Sequence, residues 1–324
     1  MNEASLERAR GLAYDSLGRW LSGAVDEALW QEVCGLFWPD AGGAFDADEE
    51  AARYQQLIGF NILPYASVYL EPEGQLGGAV SSDALAHYAG TGFSLPADAS
   101  APDHIAVELS YMHYLSGYRA DALAAGATPA ADRWGERFQL FLAHHALHWM
   151  PVFLLSLRRQ GDDRYAVLAD MLLEVVLDHH ASLSSVPPAP HTRPAAPDIL
   201  SRPDTGLKDI ALYFTRPVWC GVFLGRDDIG RLGRSLTLPI GFGDRGQSMT
   251  NLLRAAVTYD RLPDLLAGLR YLIGSERFAL EAIADAYASD TIAEAVQPWL
   301  IRMAGSIELI GRIESGAQGM VQSS

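Results

Sequence analysis

The chain has 324 residues, 49% of them hydrophobic and 20% charged, and a formal net charge of −16. It can bury a large core, and its field repels nucleic acid and anionic membrane surfaces. The charge is uneven, because residues 1–200 hold 11 basic and 26 acidic side chains while residues 201–324 hold 13 and 14; an acidic working surface, attractive to a basic partner, belongs to the first part.

In chain order, Leu6, Ala9, Ala13, Leu17 and Leu21 recur at helical spacing and predict a first helix over residues 5–21, not a signal peptide. Asp26 caps a second helix, "DEALWQEVCGLFW", which Pro39 ends. "DAGGAFDADEE" is an acidic loop, and a third helix follows over residues 49–61. "LPYASVYLEPEGQLGG" mixes turn formers with aromatics, before a short helix closed by Gly90. A long helix opens at Pro102, with Asp103 as its cap, and runs to residue 125. Asp132 starts the next, through "RFQLFLAHHALHWMPVFLLSLRR", which Pro151 bends or restarts. "DDRYAVLADMLLEVVLDHH" is a further helix. No apolar–polar alternation is sustained over residues 1–180, so the fold class is all-α, a helical bundle.

Residues 181–207, "ASLSSVPPAPHTRPAAPDILSRPDTGL", read as a Pro-rich linker or strap. They divide the chain into a helical domain over 1–180 and a C-terminal helical extension over 208–324. The extension opens with a Gly-rich aromatic stretch and continues with helices over 248–275 and 276–314, the latter with a break at Pro298. Cys34 and Cys220 lie far apart among apolar residues and are expected as buried free thiols. No apolar run approaches a membrane span. The expectation is a cytoplasmic protein, not embedded in a membrane, with no nucleic-acid partner.

Four groups of residues could carry chemistry. Asp103, His104 and Glu108 open one helix, and the last two share a face; the group suits acid–base work, a recognition edge, or a capped helix start with a packed pair. His144 and His148 stand four apart and could share a metal with His179 or His180, which makes a metal-dependent helical enzyme the alternative function. They lack the His-Glu-x-x-His pattern of zinc proteases, and no cofactor or metal is expected. Tyr65, Tyr69, Tyr111, Tyr114, Trp149 and Phe153 form core or line a peptide-gripping groove. Arg231, Arg234 and Arg245, around "LPIGFGDRG", form a plain turn, an anion-binding patch or a patch for self-docking. No phosphate loop is present, which disfavours a nucleotide-responsive switch.

The ordered set "YDSLGRWL", "LPYASVYLEPEGQLGG", "PDHIAVELSYMHYL" and "FLAHHALHWMPVFLLSL" resembles the TorD/DmsD/NarJ family, cytoplasmic chaperones for molybdenum-cofactor oxidoreductases also called redox enzyme maturation proteins. The resemblance covers residues 5–180 and implies a TorD-like helical bundle with an unusual C-terminal extension. It implies a partner, the molybdopterin-containing catalytic subunit and its twin-arginine signal peptide, and a role that is not catalytic. By the same resemblance Asp103 and His104 match the signature pair of the hinge region. Glu108 matches the Glu of that helix, Tyr65 and Tyr69 its aromatic element, and Trp149 and Pro151 the later helix. Ala66 stands where the family has Glu. The expected state is a monomer, with a swapped dimer as the alternative.

Overall fold

The computed structural model describes residues 2–37, 44–95, 101–184, 186 and 195–322. Pro39, residues 40–43 of the acidic loop and residues 185 and 187–194 of the Pro-rich connection lie outside the described residues. The described part is all α. It holds α1 (Glu3–Leu21), α2 (Glu27–Phe37), α3 (Ala47–Tyr54), α4 (Ala66–Leu70), α5 (Gly78–Ala89), α6 (Ile105–Ala124), α7 (Thr128–His144), α8 (Met150–Arg158) and α9 (Asp163–Ser182). Six more follow: α10 (Leu207–Thr215), α11 (Pro217–Cys220), α12 (Arg226–Ser235), α13 (Arg245–Thr258), α14 (Leu262–Tyr287) and α15 (Asp290–Gln322). The sole extended pairing among the described residues is an isolated antiparallel bridge between Tyr65 and His104.

Local chemistry sets most of the boundaries. Asn2, Asp46, Asp162 and Asp244 accept hydrogen bonds from amides in the first turns of α1, α3, α9 and α13, and Asp26 Oδ1 does the same for Leu29 at 2.8 Å; each pairs a donor that the helix itself leaves open. Proline occupies the first turn of α7, α8, α11 and α14, where its missing N–H removes no helical bond. α7 therefore begins at Thr128 ahead of Pro129, earlier than Asp132. Pro151 restarts the chain as α8 after a short 3-10 turn, bent 52° from α7.

α5 is closed at Gly90 as expected, in a right-handed conformation, and the left-handed turn is made by Gly92 (φ 78°). Two other expected boundaries move. In the extension the breaks fall at Asp260 (φ 55°) and Ala288 (φ 43°), not between residues 275 and 276. Pro298 sits inside α15 without ending it.

α1 and α6 form the most extensive helix pair. A Cβ added at Gly18 would lie 3.2 Å from Leu109 Cβ, and one at Gly11 3.2 Å from Ser116 Cβ; two bare positions seven apart on α1 let the axes close. One contiguous apolar core runs from Tyr14 to Ile310. The extension joins it through Trp299, whose Nε1 donates to the His148 carbonyl at 2.9 Å, while Arg302 ties α15 to α11 within the extension by bonding the Val218 carbonyl. Both cysteines are free and buried. Among the described residues no single helix is long and apolar enough to cross a membrane. The bent pair α7 and α8 passes by length and composition together, but its Phe138, Phe141, Leu142, Val152 and Phe153 are all core.

Candidate functional site

The "PYASVYL" element and the "PDH" turn meet in space. Ala66 N donates to Asp103 O at 3.0 Å and Ile105 N to Pro64 O at 2.9 Å, which makes the two-bond bridge. Asp103 does not cap its own helix. Its Oδ2 accepts from Ser67 N at 2.8 Å, in the first turn of α4, and His104 caps α6 by accepting from Ala106 N through Nδ1 at 3.1 Å. Because that nitrogen is an acceptor, the ring is neutral; burial pulls it down to about 4 against the pull of Asp103. Tyr65 meets the His104 ring edge-on at 4.9 Å. Tyr88 OH closes the turn by donating to Pro102 O at 2.8 Å.

One helical turn further on, Glu108 is completely enclosed. Its Oε1 lies 2.8 Å from His145 Nε2 and its Oε2 accepts from Trp149 Nε1 at 3.1 Å. His145 Nδ1 lies 3.1 Å from Asp83 Oδ2. Burial alone lowers the imidazole, but Glu108 and Asp83 outweigh it and push it up to about 10, while burial also raises Glu108 against the pull of His145; the geometry favours a proton on the imidazole between the two carboxylates. Tyr111 donates its hydroxyl to His87 O at 3.1 Å. Tyr69 stacks on Phe223 of the extension at 5.1 Å and meets Trp149 at a tilt, with centroids 5.6 Å apart. Beside the cluster a small cavity of about 200 Å³ is lined by Asp83, His87, Tyr111, Arg137 and His144.

Asp103, His104, Glu108, Tyr69, Tyr111 and Trp149 are thus all buried, and Tyr65 is half-buried. They are brought together as a joint between α4, α6, α7 and α8, of which only Tyr111 reaches the small cavity. Tyr114 is half-buried against Phe93 and Trp134, and Phe153 is core. The histidine pair fares differently from its expectation. α7 stops at His144, so His144 and His148 do not share a helical face, and His148 Nε2 bonds Ala143 O at 3.0 Å. His179 lies against Glu7 and His180 against Gln139, both away from that turn. Among the described residues no group of three His, Cys, Asp or Glu could hold a metal. His145 was the histidine that sequence reasoning passed over; the signal available was Glu108, a charge on the apolar face of α6 that required a cation.

The arginine patch separates. Arg245 is half-buried over the Phe223 ring at 4.1 Å and donates to Leu224 O at 3.3 Å. Arg231 pairs with Asp228 and donates to Arg159 O at 3.2 Å. Arg234 alone of the three is exposed.

An open groove lies elsewhere, between α9 with the end of α8 on one side and α14 on the other, with a volume of about 660 Å³. Asp170 and Glu174 of α9 line it, and Asp178, one turn on, accepts from Tyr287 OH at 3.0 Å. The fourfold spacing stacks these three carboxylates in one row. The facing wall is Phe278, Ala279, Ala282, Ile283 and Ala286, with Phe278 74% exposed. Arg158 offsets Asp170 at 3.4 Å, while Glu174 makes no ion pair among the described residues.

The architecture is that of the TorD-like helical chaperones, carrying extra C-terminal helices. Residues 9–154, less than half of the chain, match the family model described as nitrate reductase delta subunit, a family within the wider TorD/DmsD/NarJ group. Its members are non-catalytic chaperones of redox-enzyme maturation. Comparison with curated proteins and with solved structures found no match.

Proposed function

We propose that this protein holds the apo catalytic subunit of a molybdopterin oxidoreductase through a basic, then apolar, segment such as a twin-arginine signal peptide. It keeps that segment covered in the cytoplasm until the cofactor is in place, before export. The observation that carries the reading is the groove between α9 and α14. A row of carboxylates on one wall meets guanidinium groups by charge-assisted hydrogen bonds, and the Phe278 wall covers the apolar stretch that follows. The acidic first part of the chain speeds and orients encounter. In this reading Asp103, His104, Glu108, Tyr65, Tyr69, Tyr111 and Trp149 support the client site from beneath. They fix α6, α7 and α8, and α8 leads into the groove wall.

The test is fluorescence anisotropy with a labelled peptide of two arginines followed by a leucine-rich segment. Glu174→Lys with Phe278→Ser is expected to weaken binding about tenfold or more, a difference of about 1.4 kcal/mol. Equal affinity for wild type and double variant removes the groove as the client site.

A further inference from the structure

We propose that the cleft between α3 and α12 is a second docking site, for an acidic segment of a partner protein that carries an aromatic or aliphatic side chain. The proposal is independent of the groove described above. The cleft has a volume of about 510 Å³ and lies where α3 and its following π-turn face α12 and the start of α13.

Its charge runs against that of the molecule. Arg226 and Arg234 line it from one face of α12, both exposed, and neither makes an ion pair or side-chain hydrogen bond among the described residues. Arg231 on the same helix, by contrast, is paired with Asp228. Gly230 lies midway between the two arginines. Its missing side chain leaves room for Arg234 to lie back along the helix, with Nη1 3.0 Å from where a Cβ would stand. Both arginines thus line the same cleft. Asp227, a carboxylate on the same wall, is tied to Asn61, whose Oδ1 accepts from Asp227 N at 3.0 Å and whose Nδ2 donates to Asp227 Oδ2 at 3.3 Å.

Two aromatics complete the surface. Phe60 lines the cleft and is 67% exposed. Phe242 is 95% exposed, next to the lining residue Gly241. Gly241 (φ 73°) and Gly243 (φ 144°) hold it out on a turn that other residues rarely adopt. Leaving a phenylalanine in water forgoes the free energy of burying it, and exposed Phe beside Arg is the composition of a protein-binding patch. A small inorganic anion could satisfy the arginines but would leave both rings bare. A peptide with carboxylates flanking an apolar residue engages both features.

The probe is a fluorescein-labelled Glu-Glu-Phe-Glu-Glu peptide, read by anisotropy at low salt, with Gln-Gln-Phe-Gln-Gln as its neutral counterpart. Arg226→Gln with Arg234→Gln is expected to weaken binding about tenfold, and Phe60→Ser about threefold. The neutral peptide is expected to bind at least tenfold more weakly. These side chains are exposed, so the variants keep the wild-type fold, checked by thermal melting. Unchanged affinity in the double arginine variant overturns the proposal, as does equal binding of the neutral peptide. Displacement of the probe by millimolar inorganic phosphate at fixed ionic strength overturns it in favour of a small-anion site.

Discussion

A histidine enclosed between two carboxylates titrates late, and His145 makes that visible. Glu108 and Asp83 raise its folded value to about 10 from the usual 6.5. A group raised on folding adds stability that is complete below its unfolded value and is lost as the pH climbs through the folded one. The advantage of wild type over His145→Gln in urea unfolding is therefore expected to be full at pH 6 and to shrink steadily from pH 7 towards pH 10. An advantage that stays constant over that range shows that His145 is neutral in the folded protein. The sequence left the burial of Glu108 open, as a packed residue or a recognition edge, and did not identify His145 as its partner. The partner that makes burial tolerable lies 37 positions away. Asp103 was misplaced for a related reason. An aspartate ahead of a helix normally serves that helix, yet this one serves α4, which the chain brings alongside through the Tyr65–His104 bridge.

Helices were the most legible level, since their apolar spacing and their first-turn caps are local. α1, α2, α6 and α9 begin within a few residues of where the apolar spacing, Asp26, Pro102 and the start of "DDRYAVL" place them. The breaks at Asp260 and Ala288 were not legible, because both are non-glycine residues in the left-handed region and only tertiary packing holds them there. How the last two helices attach was equally hidden. Trp299 is fully buried and its indole donates to the backbone of the turn between α7 and α8. Trp299→Ala is expected to lower stability by about 3–5 kcal/mol, from the cavity and the unpaired carbonyl together. Chemical denaturation measures the loss. Trp299→Phe, which keeps most of the volume and removes only the hydrogen bond, is expected to lose about 1–2 kcal/mol. A loss near zero for Trp299→Ala means that α15 is not anchored at this point.

At the scale of the molecule, one arginine joins what the sequence divides. Arg159, at the end of α8, makes a two-point contact with Asp228 of α12, with Nε to Oδ1 and Nη2 to Oδ2 both at 3.0 Å. It also pairs with Glu276 of α14 and donates to the Phe223 carbonyl. From there hydrogen bonds continue through Gln160 to Asn61 and so to the edge of the α3–α12 cleft. Asp228 and Glu276 are both buried, so removing the arginine strands two carboxylates away from water. Arg159→Met is expected to destabilise the protein by about 3–5 kcal/mol, as read from urea unfolding. The triple change Arg159→Met, Asp228→Leu and Glu276→Leu removes the stranded charges as well, and is expected to recover most of that loss. Because Arg159 and Glu276 also line the groove between α9 and α14, the two variants separate stability from recognition. If the triple variant regains the melting behaviour of wild type yet binds the two-arginine peptide more weakly, the network shapes the groove wall. If it binds as wild type does, the network serves only to join the extension to the bundle.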